Sequence, residues 1–236
     1  ELSACRRSGY IKDIFSDGKA QVTVEYEDGK PVRLESVVVS CQHGAEKSLK
    51  KLDAEIREKV LRSALRLLPP DEDTKILINP SGKFVCGGFD ADTGLTGRKL
   101  MVDTYGSMVP HGGGAFSGKD CSKVDRSGAY MARYIAKNMV AAGLASQCQV
   151  SLAYAIGVAQ PVMVQVETFG TGKICADDCL AAAIPLVFAL TPNQIMDTLR
   201  LKRPIFKQTA VYGHFGRKEF PWERPDKVEA LRNTVM

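Results

Sequence analysis

Long hydrophobic runs are missing from this 236-residue sequence. The longest apolar stretch, residues 180–190, is interrupted by Pro185 and is too short to cross a bilayer, so it predicts a buried helix and no membrane partner. Basic runs with interleaved aromatic residues are missing as well, which gives no support to nucleic-acid binding. The formal net charge of +5, from 32 basic and 27 acidic residues, is a mild excess that suits anionic small molecules.

Closely paired cysteine motifs are also missing. The seven cysteines are an odd number, are scattered along the chain and include no Cys-x-x-Cys pair. This usage predicts reduced thiols in a cytoplasmic protein rather than a disulfide or zinc framework. No signal peptide precedes Leu2, and the first residue is Glu1 rather than Met, so we expect that the natural N-terminus has been lost or removed.

Alternating and β-branched segments predict several strands. Near the N-terminus, two of them flank Asp28-Gly29, which is typical of a hairpin with a tight turn. The polar residues 16–19 predict a further turn just before this hairpin. The predicted strands are residues 21–26, 33–40, 75–79, 150–156 and 161–168, of which the last two are expected to be adjacent.

Helical periodicity marks four segments: residues 46–68, 125–142, 177–189 and 192–201. Pro69-Pro70 is predicted to end the first, Gly143 to cap the second, and Thr191-Pro192 to begin the fourth. Helices that alternate with paired strands predict an α+β fold, with helices layered on one face of an antiparallel sheet. Near the end of the chain, His214 and Trp222 are expected to be buried structural residues.

Candidate functional residues are most concentrated in residues 111–126. Three successive glycines there allow the backbone N–H groups to approach an anion, and Lys119 and Lys123 add positive charge. The spacing from Gly113 to Lys119 has the form of a P-loop, but Asp120 stands where that motif needs a Ser or Thr hydroxyl. A P-loop NTPase is therefore not expected. Asp120 and Asp125 are instead candidate oxygen ligands for a divalent cation.

Simpler structural interpretations exist for the same segment. Ser122 and Asp125 fit a capping box, which would limit Asp125 to beginning a helix, and three glycines are also typical of a flexible connection. Either feature alone favours the structural interpretation. Together, glycines and lysines before a helix N-terminus favour an anion site, because the helix dipole and the side-chain charges act in the same direction.

This segment and its flanks resemble methionine adenosyltransferase, the S-adenosylmethionine synthetase family. The resemblance runs through nearly the whole chain, although the family proteins have a substantial N-terminal part before the region that matches residues 16–19. The matching motifs are GLTGRK (94–99), VDTYG (102–106), HGGGAFSGKD (111–120), KVDRS (123–127), YAIGV (154–158), VETFGT (166–171), YGHFGR (212–217) and FPWE (220–223).

The resemblance implies an α+β fold built from S-adenosylmethionine synthetase-like subdomains, each a mainly antiparallel sheet with helices on one face. Residues 1–85 are expected to be part of a first subdomain with nucleotide contacts. Residues 86–127 are expected to belong to a central subdomain with the phosphate and metal loop, and residues 128–236 to a C-terminal subdomain.

The implied activity is formation of S-adenosylmethionine from ATP and L-methionine, with release of phosphate and pyrophosphate. Mg²⁺ and K⁺ are the implied cofactors, and the implied assembly is a homodimer or dimer of dimers with active sites at the subunit interface. Two alternatives stay open. One is a catalytically incompetent fragment that keeps nucleotide-binding and dimerisation surfaces, because family residues near the transferred ribose precede Glu1. The other is a general nucleotide-binding module with different chemistry.

The resemblance also assigns roles to residues of this chain. Arg98, Lys99, Lys119 and Lys123 are the expected catalytic cations, and Asp125 is the expected metal ligand. Methionine is expected to contact Asp92, Lys123 and Ile156. The expected ATP-binding residues are Asp17, Gly18, Lys19, Ser81, Gly82, Lys83, Phe84, Asp92, Arg98, Lys99, Ala115, Lys119 and Lys123.

Two places depart from the family pattern. Lys83 stands where the family has Arg, so the planar guanidinium fork is absent while the charge remains. Phe89 and Ala91 replace family residues just before Asp92, which changes the backbone around that carboxylate.

Overall fold

The computed structural model describes residues 1–106 and 108–235, which form two compact units, Glu1–Gly94 and Leu95–Met236. The first contains α1 (Leu2–Arg7), β1 (Ile14–Glu27), β2 (Lys30–His43), α2 (Leu49–Ile56), a π-helical turn (Arg57–Leu61), α3 (Arg62–Ala64), β3 (Lys75–Ile78) and a 3₁₀ turn (Gly88–Asp90). The second contains α4 (Leu100–Asp103), α5 (Val124–Ala141), β4 (Gln149–Ala153), β5 (Met163–Glu167), α6 (Asp177–Val187), α7 (Pro192–Thr198), 3₁₀ turns at Phe206–Ala210 and Pro221–Glu223, and α8 (Val228–Val235). The predicted α+β class is confirmed.

The sheet of the first unit has the strand order β1-β2-β3. Strands β1 and β2 form the predicted antiparallel hairpin, closed by Asp28 and Gly29 with φ of 48° and 73°. Two consecutive positive φ values are typical of a type I′ turn, whose twist matches that of the flanking strands. Strand β3 lies parallel to β2, with Ile76 opposite Val37, so β2 is the central strand.

The turn predicted before this hairpin is wrong. Asp17, Gly18 and Lys19 lie in β1, where Gly18 pairs with Cys41 and Lys19 with Ser40 after a shift of register. Polar and glycine residues favour turns locally. Here the hydrogen-bonded ladder to a buried central strand overrides that local preference, and the irregular register accommodates the glycine.

The first helical segment packs its apolar stripe on this sheet. It was predicted over residues 46–68 and is found as α2, the π-helical turn and α3. The Ser48 hydroxyl caps its start by accepting a hydrogen bond from the Lys51 N–H at 3.3 Å. The core of the first unit consists of Cys5, Ile11, Ile14, Leu34, Val37, Val39, Cys41, Leu52, Ile56, Val60 and Leu61.

Helix α5 runs through the core of the second unit. Its bounds agree with the predicted helix, and Gly143, with a φ of 78°, follows its end as expected for a C-terminal cap. The buried apolar side chains of α5 recur at helical spacing because one face points into the core. They are Tyr130, Met131, Tyr134, Ile135 and Met139.

Strands β4 and β5 are antiparallel neighbours, as predicted. The Thr191 hydroxyl and the Gln194 side chain form a reciprocal capping box at the start of α7, which confirms the predicted helix start. No helix in residues 1–106 or 108–235 is by itself long and apolar enough to cross a membrane. Only α6 and α7 taken together reach that length and composition, and they are bent by 77° at the break between them.

Trp222 and His214 are buried in the second unit, as expected. Trp222 stacks on Tyr130 at a ring-centroid distance of 3.8 Å and donates its indole N–H to the His214 carbonyl at 2.8 Å. The Tyr130 hydroxyl lies 2.7 Å from His214 Nδ1. Burial, followed by the nearby charges of Arg126 and Arg217, lowers the pKa of His214 to about 4, so the imidazole is neutral at pH 7.

The two units do not end where the predicted pieces end. Residues 95–127 group with the residues that follow them, and the predicted boundary near residue 127 falls inside α5. Residues 86–94 group with the first unit. The assignment of three pieces to subdomains of a longer protein stays a prediction.

Candidate functional site

The glycine-rich loop before α5, which contains residues 111–120, is shaped by a tight turn. The Lys119 N–H donates to the Phe116 carbonyl at 3.2 Å, and Gly118, the third residue of this turn, has a φ of 85°. A positive φ at this position is typical of a type II turn and favours glycine. Gly113, with a φ of 89°, donates its N–H to His111 Nδ1 at 2.7 Å. The loop therefore has a defined backbone, rather than being only a flexible connection.

The predicted capping box at the start of α5 is wrong. Lys123 is the N-cap residue, and no side chain accepts a capping hydrogen bond there. The Ser122 N–H donates to Asp120 Oδ1 at 2.7 Å instead. Hydrogen bonds from the Ser122 side chain and backbone lower the pKa of Asp120. Asp125 is drawn away from a capping role because its carboxylate pairs with a lysine.

That lysine is Lys119, whose Nζ lies 2.5 Å from Asp125 Oδ2. The two side chains are 33% and 52% exposed, so both can exchange this contact for a ligand. The backbone of Gly114 packs closely on the same carboxylate. A Cβ added at Gly114 would lie 2.7 Å from both Cβ and Cγ of Asp125, so a glycine is needed there. The structure thus brings three predicted elements together: the glycine run, Lys119 and Asp125.

Arg98 and Lys99 are carried to the same loop by the segment before them. Gly97, with a φ of 89°, packs on Ala115, and Thr96 packs on Gly118. Arg98 and Lys99 are exposed, and Lys99 Nζ donates to the Arg98 carbonyl at 3.2 Å. Their long side chains are free of carboxylate partners among the described residues, so they can reach an anion.

Lys123 and Ile156 are the two remaining predicted residues of the second unit. The Lys123 side chain is exposed at the start of α5, on the exposed side of the loop. Ile156 is fully exposed in the turn that follows β4. A fully exposed isoleucine contributes nothing to the core.

Arg126 was missed by the sequence reasoning. It is only 3% exposed, and its Nη1 donates to the carbonyls of Phe116 and Lys119 at 3.1 and 2.7 Å. Its Nε donates to the Tyr130 hydroxyl, and its Nη2 to the Thr209 hydroxyl, each at 3.1 Å. A positive charge in the first turn of a helix, where the dipole disfavours it, was the signal that could have revealed this residue.

In the first unit, Asp17 ties β1 to the segment after β3. Its Oδ2 accepts a hydrogen bond from the Gly88 N–H at 2.8 Å. The Gln42 side chain reinforces this link, because its Oε1 accepts from the Asp17 N–H at 3.4 Å and its Nε2 donates to the Val85 carbonyl at 3.1 Å. Gln42 is therefore a second residue that the sequence reasoning missed. Gly18 lies next to this link, and a Cβ there would be 3.2 Å from the Ser40 carbonyl.

The predicted adenine-contacting segment follows a turn at Ser81 and Gly82, where the Gly82 N–H donates to the Asn79 carbonyl at 2.8 Å. Phe84 is held by its backbone: its N–H donates to His43 Nε2 at 3.2 Å, and its carbonyl accepts from the His43 N–H at 2.8 Å. The Phe84 side chain is half-buried.

Three charged residues predicted to bind substrate in this unit have exposed side chains. Lys83 Nζ donates to the Ala45 carbonyl at 3.1 Å, a contact that one ammonium group makes without a guanidinium fork. Lys19 and Asp92 are exposed. The Asp92 N–H donates to the Gly88 carbonyl at 3.0 Å, so Asp92 and Asp17 are both tied to Gly88.

No group of three or more His, Cys, Asp or Glu side chains in the described residues is arranged to hold a metal ion. This excludes a cage formed wholly by those residues. Mg²⁺ commonly takes only one or two carboxylates and completes its coordination with substrate phosphates and water. The half-exposed carboxylate of Asp125 fits that mode of binding, because an ion could replace Lys119 as its partner.

Comparison with known proteins matches the chain to one family along most of its length. Residues 1–84 match the family described as S-adenosylmethionine synthetase, central domain, and residues 86–224 match S-adenosylmethionine synthetase, C-terminal domain.

Two individual proteins support the same family assignment. An S-adenosylmethionine synthase from Clostridium botulinum (strain Alaska E43 / Type E3) is 51% identical over 236 residues, which are 99% of this chain and 60% of that protein. The structure of an S-adenosylmethionine synthetase from Campylobacter jejuni superimposes with a TM-score of 0.90 at 39% identity, over 99% of this chain and 63% of that one. The chain therefore spans about 60% of the length of these relatives. By these matches the chain belongs to the S-adenosylmethionine synthetase family.

Proposed function

We propose that this chain is part of an enzyme that forms S-adenosylmethionine from ATP and L-methionine, with release of phosphate and pyrophosphate, and that it contributes residues to the ATP site. The observation that carries the proposal is the loop before α5. Its glycine backbone, the Lys119 ammonium and the Asp125 carboxylate meet at one exposed place, with Arg98 and Lys99 on the adjacent segment. Such an arrangement suits a triphosphate that brings its own divalent cation.

The bond-forming step does not require the protein to transfer a proton. The attacking methionine sulfur is a neutral thioether, which needs no deprotonation before it forms a bond to C5′ of the ribose. The electron pair of the broken C5′–O bond leaves with the triphosphate, and a water molecule then hydrolyses the triphosphate to pyrophosphate and phosphate. The protein therefore has to position sulfur against carbon and to stabilise the charge that grows on the departing oxygen. Lys119, Lys123, Arg98 and Lys99 are the cations that we assign to this stabilisation.

Asp125 is the residue that we assign to Mg²⁺. The ion, when bound, neutralises phosphate charge and fixes the phosphates in one arrangement. Asp125 would hold the ion in place of its present partner Lys119, and the Lys119 ammonium would then be free to bind a phosphate oxygen. K⁺ is expected as a second cofactor from the family resemblance.

The first unit supplies the nucleotide contacts in this proposal. Phe84 offers a ring face to the adenine, and Lys83, Ser81 and Gly82 lie beside it in the sequence. Asp17, Gly18 and Lys19 follow in β1 as further ATP contacts. Asp92 is proposed to accept hydrogen bonds from the methionine amino group and the ribose, because an ionised carboxylate can accept several donors. Lys123 and Ile156 are proposed to contact methionine.

The proposed assembly is a cytoplasmic homodimer or dimer of dimers with active sites at the subunit interface. Such sites draw residues from both chains, so assembly and activity should appear together. Light scattering combined with activity assays on the same fractions tests this point. A monomeric fraction with full turnover would contradict it.

An alternative activity for the isolated chain is nucleotide binding without turnover, because the chain spans about 60% of its relatives. A fusion separates the two possibilities. The N-terminal part of the Clostridium botulinum relative that precedes the matched region is joined ahead of Glu1, and the resulting protein is called the fusion enzyme below. The isolated chain and the fusion enzyme are incubated with ATP, L-methionine, Mg²⁺ and K⁺, and products are identified by mass spectrometry.

S-Adenosylmethionine from the fusion enzyme supports the proposed activity. If the isolated chain binds nucleotide but makes no product while the fusion enzyme does, the chain alone is the incompetent core. If the fusion enzyme releases ADP or AMP and no S-adenosylmethionine, a nucleotide-binding module with different chemistry is the better description.

A further inference from the structure

Arg126 is a buried cation without a carboxylate partner among the described residues. All four of its hydrogen-bond acceptors are neutral: two backbone carbonyls and two hydroxyls. Burial of a charge is costly unless the charge is paired, and the first turn of a helix adds the unfavourable end of the dipole. Packing provides one compensation, because the guanidinium lies 3.7 Å from the centroid of the Phe206 ring. A negative partner is still missing.

The same guanidinium holds the turn of the glycine-rich loop at both ends. Its Nη1 donates to the first carbonyl of the turn, at Phe116, and to the last, at Lys119. The residues between them, Ser117 and Gly118, have backbone N–H groups with no hydrogen-bond partner among the described residues. Arg126 is buried, whereas Gly118 is exposed and the Lys119 side chain is 33% exposed, so the guanidinium holds the turn from its buried side.

We propose that Arg126 is a positioning residue for the phosphate loop and that its unpaired charge is balanced only when an anion binds there. This rests on the proposed triphosphate site. The guanidinium fixes the turn from behind, so that Lys119 and the free N–H groups converge on the anion. Its positive charge adds to the local potential at short range, although Arg126 itself does not touch the substrate.

Arg133 provides a matched comparison on the same helix. It lies two turns further along α5, and its Nε and Nη2 each donate to the buried Glu223 carboxylate at 3.0 Å. Lys137 also pairs with Glu223, at 3.3 Å. Arg133 thus has a balanced charge and, within the described residues, no hydrogen bond or ion pair with the glycine-rich loop. Replacing it disturbs α5 without removing an unpaired charge.

The test measures binding of inorganic tripolyphosphate to the 236-residue chain by calorimetry in the presence of Mg²⁺. The variants are Arg126→Lys, which keeps the charge but loses the planar fork, Arg126→Met, which loses both, and Arg133→Met as the control. Fluorescence of the single tryptophan, Trp222, shows whether each variant is folded, because this ring is buried against Tyr130.

Arg126→Met is expected to raise the Kd for tripolyphosphate about tenfold to a hundredfold, the effect of one partly desolvated charge near the anion. Arg126→Lys is expected to raise it about threefold to tenfold, because the charge survives while the competent loop arrangement becomes less populated. Arg133→Met is expected to stay within about twofold of the unchanged chain. This graded order is not expected from loss of folding alone.

Unchanged affinity in folded Arg126→Met would overturn the inference. If Arg126→Met does not fold, Arg126→Lys is the deciding variant. Native tryptophan fluorescence in Arg126→Lys, together with an affinity equal to that of the unchanged chain, would overturn the inference. Failure of the unchanged chain to bind tripolyphosphate removes the anion site and this inference with it. Tripolyphosphate binding with the predicted order of variants, combined with no S-adenosylmethionine from the fusion enzyme, leaves the inference in place and rejects only the proposed activity.

Discussion

Lys119→Met separates a role in catalysis from a role in stability. Among the described residues, the Lys119 side chain pairs with Asp125 alone, and both side chains are partly exposed. Exposed pairs of this kind contribute at most about 1 kcal/mol to folding. Methionine keeps much of the length and the apolar stem of lysine. We therefore expect the thermal unfolding midpoint to change by only a few degrees.

The expected effect on catalysis is much larger. A preorganised positive charge that acts on growing negative charge contributes roughly 3 to 4 kcal/mol in the transition state, which corresponds to about a hundredfold to a thousandfold in rate. Lys119→Met should therefore lower kcat of the fusion enzyme by at least about a hundredfold. The KM for methionine should change little, because the lysine is assigned to the triphosphate.

The assay is steady-state formation of S-adenosylmethionine by the fusion enzyme with methionine and ATP varied in turn. Lys202→Met is the matched control, because it removes an exposed lysine of the same unit that pairs with Asp197 at 3.1 Å. Lys123→Met should change the KM for methionine as well as the KM for ATP. If Lys119→Met raises only the methionine KM and leaves kcat intact, the phosphate assignment of this loop is wrong.

Further predictions follow from three other positions. Gly114→Ala should lower kcat/KM of the fusion enzyme at least about tenfold, because the added Cβ lies 2.7 Å from Asp125; unchanged kinetics would show that the loop tolerates displacement. Gly87→Ala should weaken ATP binding in calorimetry, because the added Cβ meets the Gln42 side chain at 2.3 Å and that side chain must leave its hydrogen bonds to Asp17 and Val85; equal affinity would contradict this. The pKa of His214 falls from 6.5 to about 4 in the fold. The free energy of unfolding should therefore decrease as the pH drops from 6.5 towards 4, since only the unfolded chain takes up a proton at His214 in that range. Denaturation at pH 7.5 and 5 should show that the free energy of unfolding falls by up to about 2 kcal/mol, and that this fall is absent in His214→Gln. The same fall in His214→Gln would assign it to other groups.

Much of the architecture was predictable because local and tertiary preferences agree. The Asp28-Gly29 hairpin, the capping box at Thr191 and the helix through residues 125–142 each carry strong local signals and are found in the structure. The glycine-rich loop was predictable for the same reason, since glycines, lysines and carboxylates cluster within a short stretch of sequence.

The errors came from places where other contacts override the local pattern. Residues 16–19 have turn-forming composition, but they pair with the central strand β2. Ser122 and Asp125 have capping spacing, but Asp125 is held by Lys119. In both cases the competing partner lies outside the motif that suggested the prediction, so the motif could not reveal it.

The missed residues share a different property. Arg126 and Gln42 act through hydrogen bonds to backbone carbonyls and N–H groups of other segments. Backbone acceptors leave no mark in the sequence, because every residue has them. Only the folded chain shows that one buried guanidinium holds both ends of the turn from Phe116 to Lys119.

The most direct test of the proposed function is the product stoichiometry of the fusion enzyme with ATP and L-methionine. We predict one S-adenosylmethionine, one pyrophosphate and one phosphate per ATP consumed, with the rates of formation of all three lowered together by at least about a hundredfold in Lys119→Met. Consumption of ATP that yields ADP or AMP, with no sulfonium product from methionine, would contradict the proposed function of the site.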